Sequence, residues 1–417
     1  MAYTVTAESP RPPAAVATPR IAMVQYALLW LIGAGGAIVF IEPSPYEFAT
    51  LAATIFFFAT GLRFRLTFVP LLCLMFLINL GYTIGAAGLM HDKRILNWIM
   101  TSWYMAVTVL FFALVFAENT SERLEALYRG LIVGALIASL TGIIGYFNIA
   151  GRDLFTLYGR ASGTFKDPNV LSAFLVLPAL LALQSIVTDP PRKAMRSAAI
   201  FGVICIAILL AFSRAAWGLT VLSSSLMLAL MFVTSKTQAQ RSRIVVISVA
   251  AVSIVAVMLV ILLSFDQVQE LFRQRASFEQ TYDSGRFGRF GRHIIGAQMA
   301  LDLPLGIGPL QFSKFLPEDT HNSYLNAFMS GGWLSGICYP ALIFTTVILG
   351  FRHVFVPVPW QRAYLALFAT FVGTVGESFV IDTDHWRHFW MMLGMMWGLF
   401  AAAQLFMAQK RAAAISS

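Results

Sequence analysis

Five polar segments interrupt an otherwise apolar chain, and their residue types suit anion binding and proton transfer. The first, Tyr158-Gly-Arg-Ala-Ser-Gly-Thr-Phe-Lys-Asp-Pro-Asn169, is glycine-rich and runs straight into an apolar stretch. Asp167 suits a helix N-cap and Pro168 a first helical turn. Arg160, Lys166 and Asn169 would then gather where backbone N–H groups favour an anion. The segment lacks the Gly-Lys-Ser/Thr ending of a Walker loop, and a tight turn explains its glycines equally well. The second, Phe212-Ser-Arg-Ala215, places Arg214 between two apolar runs with almost no loop. A guanidinium at a membrane edge must snorkel, pair or face a polar cavity. Facing inward, it suits bidentate contact with phosphate.

In the third segment, Ser284-Gly-Arg-Phe-Gly-Arg-Phe-Gly-Arg-His293, Arg286, Arg289 and Arg292 recur every three residues. On a helix they would form a cationic ridge, although the interleaved glycines oppose a helix through the whole stretch. Nonspecific contact with lipid phosphates is the plainer reading. Residues 294–303 read as amphipathic, and Pro304-Leu-Gly-Ile-Gly308 as a turn.

The fourth, Thr320-His-Asn-Ser-Tyr324, immediately precedes another apolar run, with Gly331, Gly332 and Gly336 one to two turns further on. His321 can act as a base because its ordinary pKa lies near neutrality; with Asn322 it could also simply begin a helix. No HExxH and no second metal-spaced histidine accompany it, so neither metal nor other cofactor is expected. The fifth, Asp382-Thr-Asp-His-Trp-Arg-His388, has mixed charge. It could close such a site or be a solvated turn with a Trp anchor.

The elements that must position these residues are membrane helices. Hydrophobic residues make up 58% of the 417 positions and charged ones 12%, roughly half the charge of a soluble chain, so lipid must solvate most of the surface. Apolar runs fall near 22–41, 46–61, 66–89, 96–117, 127–149, 168–188, 196–212, 215–234, 243–265, 322–349, 362–380 and 386–408. At about 20 residues per span, these predict an all-α polytopic integral membrane protein of about twelve transmembrane helices. Residues 1–20 read as a disordered Pro- and Ala-rich tail, 266–320 as one large external loop, and 409–417 as a short tail. The run at 21–41 mimics a signal peptide, but the many spans after it favour a retained first helix.

Cations set the orientation. Arg63, Arg65, Arg123, Arg129, Arg192, Lys193, Arg196, Arg352, Arg362, Lys410 and Arg411 fall on one side, with Lys93 and Arg94 dissenting, which places both termini in the cytoplasm. The five polar segments then share the external face, where their cations oppose the orientation rule. The net charge of +9 contains no basic tract or zinc spacing of a nucleic-acid reader, so no nucleic acid is expected. Cys73, Cys205 and Cys338 lie within apolar runs and read as packing residues.

These residues resemble the O-antigen ligase and polysaccharide polymerase superfamily of bacterial inner membranes. The likeness rests on Arg160-x-x-Gly-Thr-Phe with Asp-Pro-Asn169, Ser213-Arg214 opening a span, Gly288-Arg289 ahead of Pro-Leu-Gly-Ile-Gly308, and His321-Asn322 followed by Gly332. It covers roughly 155–340; Ser335 stands where many members have Gly, Thr or Tyr. The resemblance implies metal-independent glycosyl transfer at the periplasmic face. The donor would be an undecaprenyl-diphosphate-linked glycan, and the acceptor lipid A core (a ligase) or another lipid-linked glycan (a polymerase). Arg214 and Arg289 would neutralise the diphosphate with Arg160 assisting, and His321 would position or deprotonate the acceptor hydroxyl. A transporter of an anionic lipid is the rival expectation. It lacks charged residues in mid-span, Glu377 near the end of the eleventh run being the nearest candidate.

Overall fold

The computed structural model describes residues 19–149, 152–276 and 285–416. The tail expected over 1–20 therefore lies almost wholly outside the described residues, as do 277–284 of the long loop. In chain order the helices are α1 (Pro19–Gly35), α2 (Pro45–Ala59), α3 (Val69–Gly85), α4 (Lys93–Phe116), α5 (Thr120–Tyr146) and the short α6 (Arg152–Phe155). A two-stranded ribbon, β1 (Thr156–Leu157) and β2 (Arg160–Ala161), leads to α7 (Pro168–Thr188), α8 (Pro191–Leu210), α9 (Arg214–Thr234) and α10 (Gln238–Leu262). There follow α11 (Asp266–Ala276), α12 (Arg289–Asp302), α13 (Phe312–Phe315), α14 (Ser323–His353), α15 (Gln361–Glu377) and α16 (Arg387–Ser416).

The chain is 78% helical with almost no sheet, an all-α architecture. Among the described residues nine helices are long and apolar enough to cross a membrane: α3, α4, α5, α7, α8, α9, α10, α14 and α16. All twelve apolar runs are helical, but α1, α2 and α15 have 17, 15 and 17 residues. At 1.5 Å per residue they rise about 22–26 Å, short of the ~30 Å hydrocarbon layer. The expected count of twelve thus becomes nine by length. Helix α10 carries an 18-residue stretch of mean hydropathy 3.2 that is only 6% buried, a surface that lipid rather than water must solvate. Among its described residues the long loop is largely folded, as α11, α12 and α13 and the turns that follow α12. At the other end α16 continues through Ser416 where a tail from 409 was expected, because Gln-Lys-Arg-Ala-Ala-Ala is a run of strong helix formers.

Caps fix where the helices begin. Asp167 accepts from the backbone N–H of Asn169 and Val170, with Pro168 next, as the sequence suggested. Ser213 caps α9 through the N–H of Ala216. Asn322 caps α14 through those of Tyr324 and Leu325.

Small residues then set the pairing of the helices, as is common where lipid surrounds them. A Cβ on Gly130 would lie 2.1 Å from the Trp30 carbonyl oxygen, and one on Gly33 2.4 Å from that of Leu127, so α1 and α5 meet backbone to backbone. Gly394 and Gly398 of α16 face the Val109 and Ala113 carbonyls of α4 in the same way. Ser335 Oγ donates to Ile78 O at 2.7 Å, joining α14 to α3.

The feature that most directly positions the site is a break in α14. Gly331 and Gly332 leave helical geometry there, Gly332 at φ +62°. The turn 304–308 inserts against the break: Trp333 N–H donates to Pro304 O at 2.9 Å, and Ile307 N–H to Met329 O at 2.7 Å. A Cβ on Gly332 would lie 2.1 Å from Pro304 O, and its φ is one that only glycine adopts freely. This docking seats α12 beside the start of α14.

Candidate functional site

The α12–α14 junction gathers Arg289, Arg292, Glu318, His321 and Asp382. His321 precedes the Asn322 cap in a left-handed conformation, φ +45°. Its backbone N–H donates to Asp382 Oδ2 at 3.1 Å, while Asp382 Oδ1 accepts from Asn322 N–H at 2.9 Å and Thr320 Oγ1 at 3.0 Å. One carboxylate from the α15–α16 connection therefore holds the whole turn. The imidazole lies between two acidic groups, with Nδ1 3.8 Å from Asp382 Oδ2 and Nε2 3.8 Å from Glu318 Oε2. Both separations exceed a hydrogen bond, and catalytic contacts of this kind often tighten only when substrate binds.

The electrostatics favour a neutral imidazole. Burial holds His321 below the ordinary histidine range, and the Arg289 guanidinium pushes it further the same way, with Glu318 opposing. His293 is lowered by burial too, and by Arg289, while its Nε2 sits 2.9 Å from Thr320 O. Burial and the neighbouring Asp384 carboxylate push the Asp382 carboxyl up, against the pull of its three donors.

The arginine repeat divides three ways. Helix α12 begins at Arg289, so Arg286 lies outside it, exposed, with its guanidinium over the Phe287 ring. The expected three-member ridge is therefore two residues, because Gly288 ends the irregular stretch as the α12 N-cap. Arg292 is 2% exposed and donates to Glu318 Oε2 at 2.6 Å and Phe287 O at 3.1 Å. Its guanidinium braces the loop; Arg289 is the one partly exposed beside His321.

Asn322, expected to touch substrate, uses its amide internally, Oδ1 as the helix cap and Nδ2 donating to Phe379 O at 3.2 Å. The other candidates form a second group. Arg160 is buried and donates through Nε to Ala211 O at 2.7 Å and through a terminal nitrogen to Asn169 Oδ1 at 2.8 Å. It ties the ribbon and the α7 N-terminus to the α8–α9 turn, which carries Ser213 and Arg214. Arg214 is the first residue of α9, partly buried. Lys166 lies apart from these, paired with Glu42 at 2.9 Å.

Helix α15 relates the two groups: Gly373 packs on Leu219 and Ser223 of α9, and past its end Ser378 O accepts from Ser323 N–H at the start of α14. Glu377, in between, is buried, and neither oxygen has a hydrogen-bond partner among the described residues.

Both Arg214 and Arg289 open a helix whose first turn has no acidic residue. A cation there opposes the helix dipole, and the backbone N–H groups of such a terminus can hold an anion beside it. Sequence reasoning weighed 382–388 as a solvated turn and passed over Glu318. The signal available was the acidic pair Glu318-Asp319 just ahead of the histidine. The chain matches no protein-family model and no curated protein.

Proposed function

We propose that the chain is a metal-independent membrane glycosyltransferase acting on a glycan carried by undecaprenyl diphosphate. The observation that carries this reading is His321, poised neutral between Glu318 and Asp382 beside Arg289. As the acceptor oxygen attacks the anomeric carbon, His321 takes its proton. The bond from that carbon to the diphosphate oxygen breaks, and the electron pair leaves with the diphosphate. The imidazolium so formed is flanked by two carboxylates, and the leaving charge is met by Arg289 and Arg214 with the N–H groups of their helix termini. Arg160 holds the α8–α9 turn rather than the substrate. A positioned base of this kind contributes roughly 10²–10⁴-fold in rate.

In this reading the chain has twelve spans with both termini cytoplasmic, in a bacterial inner membrane, and the site faces the periplasm. The helices hold the polyprenyl tail laterally among membrane lipids. We favour the ligase, with lipid A core as acceptor; the same geometry serves a polymerase extending another lipid-linked glycan. A deletion strain tests both. Unmodified core with accumulated lipid-linked polymer indicates the ligase, and capped core with short secreted chains the polymerase. Normal core and normal secreted glycan would overturn the transferase reading.

A further inference from the structure

We propose that a cavity at the start of α16 binds one neutral sugar ring of the donor or acceptor glycan, an assignment that rests on the transfer reading above. The segment that brings Asp382 to His321 runs on into this cavity of about 190 Å³, which is also lined from the α1–α2 connection and from the beginning of α7. It is smaller than the ~300–1,000 Å³ of sites for drug-sized ligands, so it suits a single ring and not a chain.

Its rim is a chain of ion pairs. Lys166 pairs with Glu42 at 2.9 Å, and Arg387 pairs with Glu47 and lies 3.9 Å from Glu42. Two cations thus meet two carboxylates, and Asp167 adds a third to the lining, leaving no surplus positive charge for phosphate. What the rim does offer is charged donors beside charged acceptors, the pairing that a sugar hydroxyl, itself donor and acceptor, can bridge.

Aromatic rings form part of the walls, among aliphatic side chains. Trp386 and Phe174 flank His388, with ring centroids 5.3 and 6.0 Å from its own; such faces take the C–H side of a pyranose. His388 is 8% exposed, and its Nε2 has no hydrogen-bond partner among the described residues. Buried polar atoms almost always have one, and a ligand hydroxyl would supply it. An acyl chain would leave this nitrogen unmet.

The test is saturation-transfer NMR on the full chain in lipid nanodiscs free of sugar-headed detergent. The probes are methyl glucoside, methyl galactoside, methyl rhamnoside and methyl N-acetylglucosaminide. At least one should bind, about fivefold or more weakly with Glu42→Gln and not at all with Trp386→Ala, while His321→Ala leaves binding unchanged. Absence of binding by all four, equal binding by Glu42→Gln and Trp386→Ala, or displacement of the sugar by inorganic phosphate would overturn the assignment.

Glu42→Gln in a membrane transfer assay then separates the sources. A raised KM for the acceptor alone marks an acceptor ring, and one for the donor alone a donor ring; no change in either overturns the link to transfer. If His321→Ala cells keep normal glycan while the pyranosides still bind, the transferase reading falls and the sugar site stands.

Discussion

Asp382→Asn isolates the carboxylate that shapes the His321 turn. In the native chain Oδ1 serves Thr320 and Asn322, and Oδ2 serves the His321 N–H at 3.1 Å. Asparagine can keep its oxygen toward Thr320 and Asn322, but its NH₂ then faces the His321 N–H, donor against donor. In the opposite orientation the NH₂ can donate to the Thr320 hydroxyl but faces the Asn322 N–H, so one bond is again lost. Either way the loss is one charge-assisted hydrogen bond, about 1.5–3 kcal/mol. Against it stands the left-handed backbone of His321, which costs a side-chain-bearing residue about 1–2 kcal/mol. The two are comparable, so the substitution should release the turn without unfolding the bundle. A reacting group displaced by about 1 Å can lose on the order of 10²-fold in rate. Transfer by washed membranes should therefore fall ~10- to 100-fold with chain abundance and thermal midpoint nearly native. Asp384→Asn provides the contrast: Asp384 Oδ2 accepts from Asn326 Nδ2 at 2.9 Å, a bond that asparagine can keep, so transfer should stay within about threefold. Equal rates for Asp382→Asn and the native chain would refute the role given to this carboxylate.

His321→Ala, inserted and expressed normally, should abolish glycan transfer; normal glycan in that strain removes the base. Because burial and Arg289 lower the His321 pKa, the imidazole remains neutral at neutral pH, and activity should fall only as pH drops below the ordinary imidazole range near 6.5. Removing the neighbouring charge with Arg289→Gln should move that acid limb of the residual rate to higher pH; a limb already at or above the ordinary value in the native chain contradicts the electrostatic argument. Arg214→Lys retains charge but loses the planar fork, so transfer should drop about tenfold or more, read in the same membrane assay. Gly332→Ala meets Pro304 O at 2.1 Å with φ at +62° and should lower the thermal midpoint, a destabilisation of about 2 kcal/mol or more.

What the sequence revealed was local. Asp167-Pro168 marks a helix start by its own chemistry, and the apolar runs mark helices by their own length. His321 stands out because it sits just before an apolar run with the cap residue Asn322 next to it, and Arg289 because it belongs to a repeat of three arginines. What stayed hidden depends on separated segments meeting. The Asp382 bonds to the 320–322 turn join residues 60 or more positions apart, and no spacing rule encodes them. Closely spaced glycines suit a tight helix contact, and Gly331 makes one, facing Tyr82 of α3; Gly332 instead admits the 304–308 turn, which only the fold brings there. Arg292 and Asn322 look like ligand contacts in sequence because their types are right. The terminal nitrogens of Arg292 go to Glu318 and Phe287, and the amide of Asn322 to Phe379 and the α14 backbone. That α1, α2 and α15 have only 17, 15 and 17 residues is legible only once helix ends are known, since an apolar run can extend past its helix.

The interrupted α14 has a mechanical consequence. Its 31 residues would measure about 46 Å if straight, well beyond the ~30 Å hydrocarbon core, and a rod of that length would have to tilt whenever the bilayer thinned or thickened. The break at Gly331–Gly332 divides it into a short first piece, clamped to the 304–308 turn and to Asp382, and a long apolar second piece. Changes in membrane thickness can then be absorbed by swinging the second piece. The first piece, with His321 at its tip, keeps its aim.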